Sequence, residues 1–200
     1  MTKNPLAKRL ENHKIILASG SPRRKKFFED LGIPFEIRLQ AVEEQYPSEL
    51  KEEEISNFLA ELKSTPFLNG LRSDEILITS DTVVWCNGES LEKAESAEEA
   101  ASMLKKLSGA WHKVITSVCF ATKRKITTVH CTTLVKIKSL TKEEIAYYIE
   151  TCNPFDKAGA YGIQEWLGMI GIEEIKGSYT NVVGLPTHLV YKTLMDAEFL

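Results

Sequence analysis

The stretch from Lys14 to Leu31, KIILASGSPRRKKFFEDL, sets two serine hydroxyls, two arginines and two lysines directly behind a short apolar run. Ile15, Ile16, Leu17 and Ala18 predict a buried strand. Ser19-Gly20-Ser21 breaks it, Ser21 is a favoured N-cap, and Pro22 suits the first helical position, where its missing N–H is no loss. Phe27, Phe28 and Leu31 recur at helical spacing, and Gly32 ends the helix. Free N–H groups and the positive end of a helix dipole would converge on this loop, beside Arg23, Arg24, Lys25 and Lys26. That arrangement suits an anion, above all a phosphate, and arginine adds bidentate donors. A capped core helix with solvated basic residues fits the same pattern, because strand–loop–helix units are common in α/β proteins. The GxxxxGK[ST] pattern of a P-loop is missing.

Two other stretches carry chemistry. Ile76 to Thr79 reads as a short apolar strand that runs into Ser80-Asp81-Thr82 and out through Val83, Val84 and Trp85. A carboxylate between two buried-looking runs needs a partner or a function; its plainer role is to cap a turn. Asn153 to Gln164, NPFDKAGAYGIQ, is rich in turn formers and holds an ionic pair beside glycines, the composition of a loop that approaches a ligand. His112 and His130 stand too isolated to suggest catalysis or metal, and read as core or surface residues.

The rest of the chain must position these stretches. Its 200 residues, 43% hydrophobic, can bury a sizeable core and predict one α/β domain over 1–200. Net charge is −3, so no general attraction to nucleic acid is expected. No apolar stretch reaches membrane-spanning length, and the polar N-terminus lacks the apolar core of a signal peptide. Cys86, Cys119, Cys131 and Cys152 are scattered without a CxxC pair, which argues against zinc and for reduced thiols in the cytoplasm.

In order, Phe35 to Leu39 predicts a second strand, and Pro47-Ser48 opens an acidic helix with Ile55, Phe58, Leu59 and Leu62 on its apolar face and Lys63 at its end. Asn87-Gly88 signals a hairpin. Ser96 with Glu99, and Thr141 with Glu144, read as capping boxes opening two helices. Val114 to Ala121 and Ile126 to Ile137 predict an antiparallel pair. Met169 to Ile175 reads as a strand, and Asn181 to Pro186 leads to a final amphipathic helix.

Six segments in order resemble the Maf family of nucleoside triphosphate pyrophosphatases: LASGSPRR at 17–24, SDTVV at 80–84, LEK at 91–93, LSG..H.V.T at 107–116, DKAGAYGIQ at 156–164 and NVVGLP at 181–186. The resemblance implies an α/β fold with a long, mixed, twisted sheet in two lobes around a cleft, similar to inosine triphosphate pyrophosphatases. It implies hydrolysis between the α and β phosphates of a nucleoside triphosphate, and DKAGAYGIQ looks like the dTTP/UTP branch. On the matching positions, Ser19, Arg23, Arg24, Lys63 and Lys93 become phosphate ligands and Asp81 the general base, with Lys93 beside it in catalysis. Glu44 and Asp81 become ligands of a divalent cation, Mg²⁺ or Mn²⁺. Arg23, Thr82 and Gln164 mark the base preference. A homodimer is expected from the resemblance alone. A nucleotide-binding regulator of septum formation with little turnover, and a pyrophosphatase for modified purine triphosphates, are the alternatives. The chain departs from the family pattern at Ser80, at Ala94, and at Glu165-Trp166-Leu167-Gly168, which stands where Gly-Leu-Gly is usual beside the base pocket.

Overall fold

A computed structural model describes residues 3–197 and Phe199; Met1 and Thr2 of the polar N-terminal stretch lie outside the described residues. Helix α1 (Pro5–Arg9) precedes strand β1 (Lys14–Leu17), helix α2 (Pro22–Asp30) and strand β2 (Phe35–Ile37). An irregular stretch leads to α3 (Glu53–Leu62) and α4 (Thr65–Leu68). Then come β3 (Glu75–Cys86), β4 (Glu89–Leu91), α5 (Ala97–Leu107), β5 (Trp111–Ala121), β6 (Ile126–Ile137) and α6 (Lys142–Cys152). After a 3₁₀ turn (Pro154–Asp156) the chain closes with α7 (Trp166–Gly171), β7 (Ile172–Lys176), α8 (Tyr179–Val183) and α9 (Thr187–Met195). The strands form one mixed sheet in the order β2-β1-β3-β5-β6-β7, with β4 also on β3. The expected mixed α/β sheet with flanking helices is what forms. Among the described residues no helix is long and apolar enough to cross a membrane.

β3 organises the site. From Leu77 to Trp85 it pairs antiparallel with β5 on one side. On the other side its start pairs parallel with β1, through Glu75 to Ile78, and its end pairs with β4, through Val84 to Cys86. Among the described residues, 79–83 have no strand neighbour on that edge, and Asp81 lies in the middle of the gap. Ligands of α/β sheets gather at such breaks in strand order, where loops leave the strand ends.

The alternation of side chains deepens the break. On one face of β3, Ile76 and Ile78 join the core of α1, α2 and α9, with Leu6, Phe28, Phe120 and Leu194. Val84 and Cys86, of the same parity, join a second core around α5 and α6, with Leu104, Leu107, Tyr148 and Leu167. Ser80 and Thr82 fall between the two cores, and Thr116 does the same on β5, opposite Thr82. A polar seam therefore separates two apolar bodies. The other face, with Thr79, Asp81 and Val83, is covered by α3: the Thr79 hydroxyl donates to the Ala60 carbonyl at 2.6 Å, and Val83 packs with Ile55 and Leu59.

Five readings of the sequence change. The acidic helix begins at Glu53, not Pro47, because the chain turns at Ser48 and Glu49 and Glu52 takes a positive φ of 49°. Phe58 of its expected apolar face stays at the surface. Residues 169–171 are helical, and the strand starts at Ile172; Leu167 and Gly171, four apart, bury one side of α7, a spacing that a short apolar run does not distinguish from a strand. Asp81 caps no turn, since β3 runs unbroken through it. Of the two capping boxes only Thr141–Glu144 closes on both sides; Glu99 accepts from the Glu95 N–H instead of Ser96.

Glu75, 1% exposed at the start of β3, anchors the first turn of the sheet through Arg38 at 2.7 Å and Arg72 at 3.0 Å. The hydrogen bond from Arg38 holds its carboxyl down at about 2, from an ordinary 4.5. A depressed folded value gives stability that is full above pH 4.5 and fades as pH falls towards 2. Glu75→Gln should cost about 1–3 kcal/mol at neutral pH and flatten that acid loss, read by urea melts at a series of pH values. A variant with the wild-type acid profile would contradict it.

Candidate active site

The Ser21 hydroxyl caps α2, accepting from the Arg24 N–H at 3.4 Å, and Gly32 with φ 66° ends the helix as the sequence expects. Arg23 and Arg24 then point to different tasks. The Arg24 guanidinium reaches into the seam: Nε donates to the Gly184 carbonyl at 2.9 Å, Nη1 to the Ser80 carbonyl at 2.8 Å and the Ser19 Oγ at 3.5 Å, and Nη2 to Thr82 Oγ1 at 3.1 Å. Gly184, at φ 119°, takes a backbone conformation that suits glycine. Burial lowers the Arg24 pKa, partly offset by Asp81, yet a guanidinium stays charged at neutral pH. Arg24 thus ties α2, β3 and the end of α8 together, with little donor capacity left for a ligand. Arg23 faces the cleft and pairs with Asp156 at 3.0 Å.

Thr82 belongs to a chain of buried polar contacts. Its Oγ1 lies 3.0 Å from Thr116 Oγ1, which donates to the Asn181 carbonyl at 3.1 Å. The Asn181 amide donates to the Val114 carbonyl and to Thr133 Oγ1, both at 2.9 Å. Across the sheet, Asp81, 8% exposed, meets the cap of α3: Lys63 Nζ lies 2.7 Å from Asp81 Oδ1 and 2.8 Å from Glu44 Oε2. The irregular segment carrying Glu44 is thereby brought over the open edge of β3.

The cleft is lined by Arg23, Lys63, Asp81, Thr82, Lys93 and Gln164, and continues past Ser19 and Glu44. Lys93 follows β4, where an isolated bridge to Ala158 fixes its backbone. Its ammonium is exposed, with no ion pair among the described residues. The Gln164 amide is likewise exposed and unpaired. All nine residues expected from the sequence, Arg24 and Glu44 included, therefore stand around one cleft. Ser19 is the least available, being 8% exposed and accepting from the Ser21 N–H at 3.3 Å.

Sequence reasoning missed Asp156 as a partner of Arg23, although the ionic pair in its loop was visible. It also missed Tyr148 and Glu165, whose contact needs α6 and α7 to be placed in space. His112 is a core residue: its Nε2 lies 2.7 Å from the buried Tyr161 hydroxyl, and burial lowers its pKa to about 4.

A divalent cation can be tested against these donors. Glu44 Oε2 and Asp81 Oδ1 already converge on a single cationic nitrogen, so the pair fits a small hard ion with oxygen ligands. No group of three acidic, His or Cys residues able to hold a metal occurs among the described residues. Further ligands would have to be water and phosphate oxygens, as is common for Mg²⁺.

The cleft's residues sit within the segment, residues 14–197, that matches the family described as Maf-like protein. A curated relative from Flavobacterium johnsoniae, named dTTP/UTP pyrophosphatase, is 56% identical over 94% of this chain and 97% of its own length. Relatives of the same name from Christiangramia forsetii and Phocaeicola vulgatus are 54% and 47% identical, over 94% and 92% of this chain and 95% and 96% of theirs. A solved structure of the Staphylococcus aureus Ham1 protein overlays with a TM-score of 0.44 at 18% identity, covering 62% of this chain and 71% of that one. With identity this high across nearly the whole of each relative, the chain belongs to the Maf-like protein family.

Proposed function

We propose that this protein hydrolyses nucleoside triphosphates to the monophosphate and pyrophosphate, preferring dTTP and UTP. The observation that carries the reading is the open edge of β3. There a clamped carboxylate, Asp81, shares one cleft with the unpaired Lys93 ammonium and the unpaired Gln164 amide. The names of the relatives point to the same reaction. Such an enzyme would work on nucleotide pools in the cytoplasm.

The steps follow from charge. Lys63 occupies Asp81 Oδ1, and Oδ2 has no protein partner among the described residues. Asp81 Oδ2 takes a proton from the attacking water as its oxygen bonds to phosphorus, and the P–O bond to the departing pyrophosphate breaks. Arg23 and Lys93 lie in the cleft to hold the phosphate oxygens, which keep most of the charge during such a transfer. Glu44 and Asp81 would hold Mg²⁺ or Mn²⁺, which when bound neutralises phosphate charge and acidifies the attacking water. Arg24 fixes the Ser80–Thr82 segment on which Asp81 stands.

The base is read by Gln164. Thymine and uracil present an N3–H donor beside carbonyl acceptors, and one amide head can pair with that edge through both of its atoms. Cytosine has an acceptor at N3 and an amino group at C4, so the amide would have to flip to pair with it, and unflipped it leaves polar groups unpaired. Gln164→Ala should reduce the dTTP-to-dCTP ratio of kcat/KM by about tenfold or more, with a much smaller effect on dCTP itself. Competition assays with the purified variant decide the matter; an unchanged ratio would refute the base-reading role.

A further inference from the structure

Gln164 stands on a short turn whose shape is held from outside the cleft. Glu165 N–H closes the turn on the Gly162 carbonyl at 3.1 Å, and the Glu165 carbonyl accepts the first bond of α7, from Met169 at 3.1 Å. Below the turn lies Tyr148 of α6, its side chain fully buried. The Tyr148 hydroxyl accepts from the Gly162 N–H at 2.9 Å and donates to Glu165 Oε2. Glu165 Oε1 holds Lys157 Nζ at 2.7 Å, and that ammonium also lies 2.6 Å from Asp156 Oδ1, whose other oxygen holds Arg23. Burial, with the bond to Glu165, pushes the Tyr148 pKa up, so the hydroxyl remains a donor.

Two close approaches show how little room the turn has. A Cβ on Gly162 would lie 2.8 Å from Glu165 Cδ and 3.0 Å from Lys157 Cε. A Cβ on Gly168 would lie 1.9 Å from the Ile163 carbonyl oxygen, so the backbone just before Gln164 rests directly on α7. Both ends of the turn are pinned, one by Tyr148 and one by Glu165 with Gly168. The amide between them is left unpaired at the cleft.

We propose that Tyr148 and Glu165 are positioning residues for base recognition, holding the Gly162–Glu165 turn so that the Gln164 side chain reaches a base with an N3–H edge from one fixed backbone position. This deepens, and rests on, the reading of Gln164 given above. A base-reading side chain discriminates best when the backbone that carries it is already in place, and a turn tied at two points fixes where the Gln164 side chain starts before the ligand arrives. Tyr148 touches no phosphate-binding residue directly; its link to Arg23 runs through Glu165, Lys157 and Asp156, so the main effect of changing it should fall on the base end of the substrate.

The test uses Tyr148→Phe, which removes one oxygen from a fully buried ring, with kcat and KM measured on dTTP, UTP and dCTP. Inorganic triphosphate serves as an inhibitor that probes the phosphate end alone. KM for dTTP should rise about five- to tenfold, kcat should change less than about threefold, and the dTTP-to-dCTP ratio should fall towards that of Gln164→Ala. Inhibition by inorganic triphosphate should be unchanged. Glu165→Gln keeps an oxygen for the Tyr148 hydroxyl and should preserve most of the ratio, whereas Glu165→Ala should lose it. In a Gln164→Ala background, Tyr148→Phe should leave the ratio where it is, because both act through one amide.

An unchanged ratio in Tyr148→Phe, while Gln164→Ala flattens it, overturns the positioning role and leaves the base reading standing. Equal loss of affinity for dTTP and inorganic triphosphate overturns it as well, in favour of a general structural role. If Gln164→Ala leaves the ratio unchanged, the base reading fails, and this proposal with it.

Discussion

Asp81→Asn should lower turnover of dTTP by about a hundredfold or more while triphosphate binding survives. The substitution keeps the size of the side chain and an oxygen for Lys63, now 2.7 Å from Oδ1. It removes the lone-pair basicity that takes the water proton. It also removes a negative charge from a cleft built for a polyanion, so affinity for the triphosphate measured without divalent cation should not fall. The position matters to the argument, because Asp81 stands within β3 on an edge left open between β1 and β4 and caps no turn. Single-turnover kinetics beside equilibrium binding separate the two effects. Turnover within a few fold of wild type would remove Asp81 as the base.

The two adjacent arginines should part company on substitution. Arg24→Ala deletes charged hydrogen bonds to Gly184, Ser80 and Thr82 at once and leaves their oxygens in a partly buried seam. That should cost about 2–4 kcal/mol of stability, the range of one or two charged hydrogen bonds with the desolvation of what remains. Activity should collapse on every substrate alike. Arg23, whose only side-chain partner among the described residues is the exposed Asp156, makes an ion pair of small value to the fold. Arg23→Ala should melt like wild type yet bind triphosphate about ten- to a hundredfold more weakly, with the nucleoside little affected. Chemical denaturation and ligand titration on both variants check this. Equal destabilisation by the two would contradict the division of labour.

How much of this was legible beforehand depends on sequence distance. The strand–loop–helix at Ile15 to Leu31 was readable because every signal is local: the apolar run, Ser21 as cap, Pro22 after it and Gly32 at the end. Residues on the Maf-like motifs were found for the same reason, each being part of a contiguous string. The task of Arg24 was not readable, because its acceptors lie 56, 58 and 160 positions away in the chain. The sequence therefore treated Arg23 and Arg24 as a matched pair, and geometry divides them. The gap in the edge of β3 was hidden too, since the local pattern shows an apolar run broken by Ser80-Asp81-Thr82 and says nothing of where β1 stops and β4 begins. Short apolar stretches failed for a different reason: 169–175 holds both a helix end and a strand, and neither period has room to declare itself.

The central claim is the site of cleavage and the base for which it is done. Phosphorus NMR of the products from dTTP, run beside dCTP at equal concentration, tests it most directly. The account predicts dTMP and pyrophosphate in equal amounts, no orthophosphate and no dTDP, with dCTP consumed far more slowly. Release of orthophosphate with dTDP, or equal rates on the two nucleotides, would contradict it.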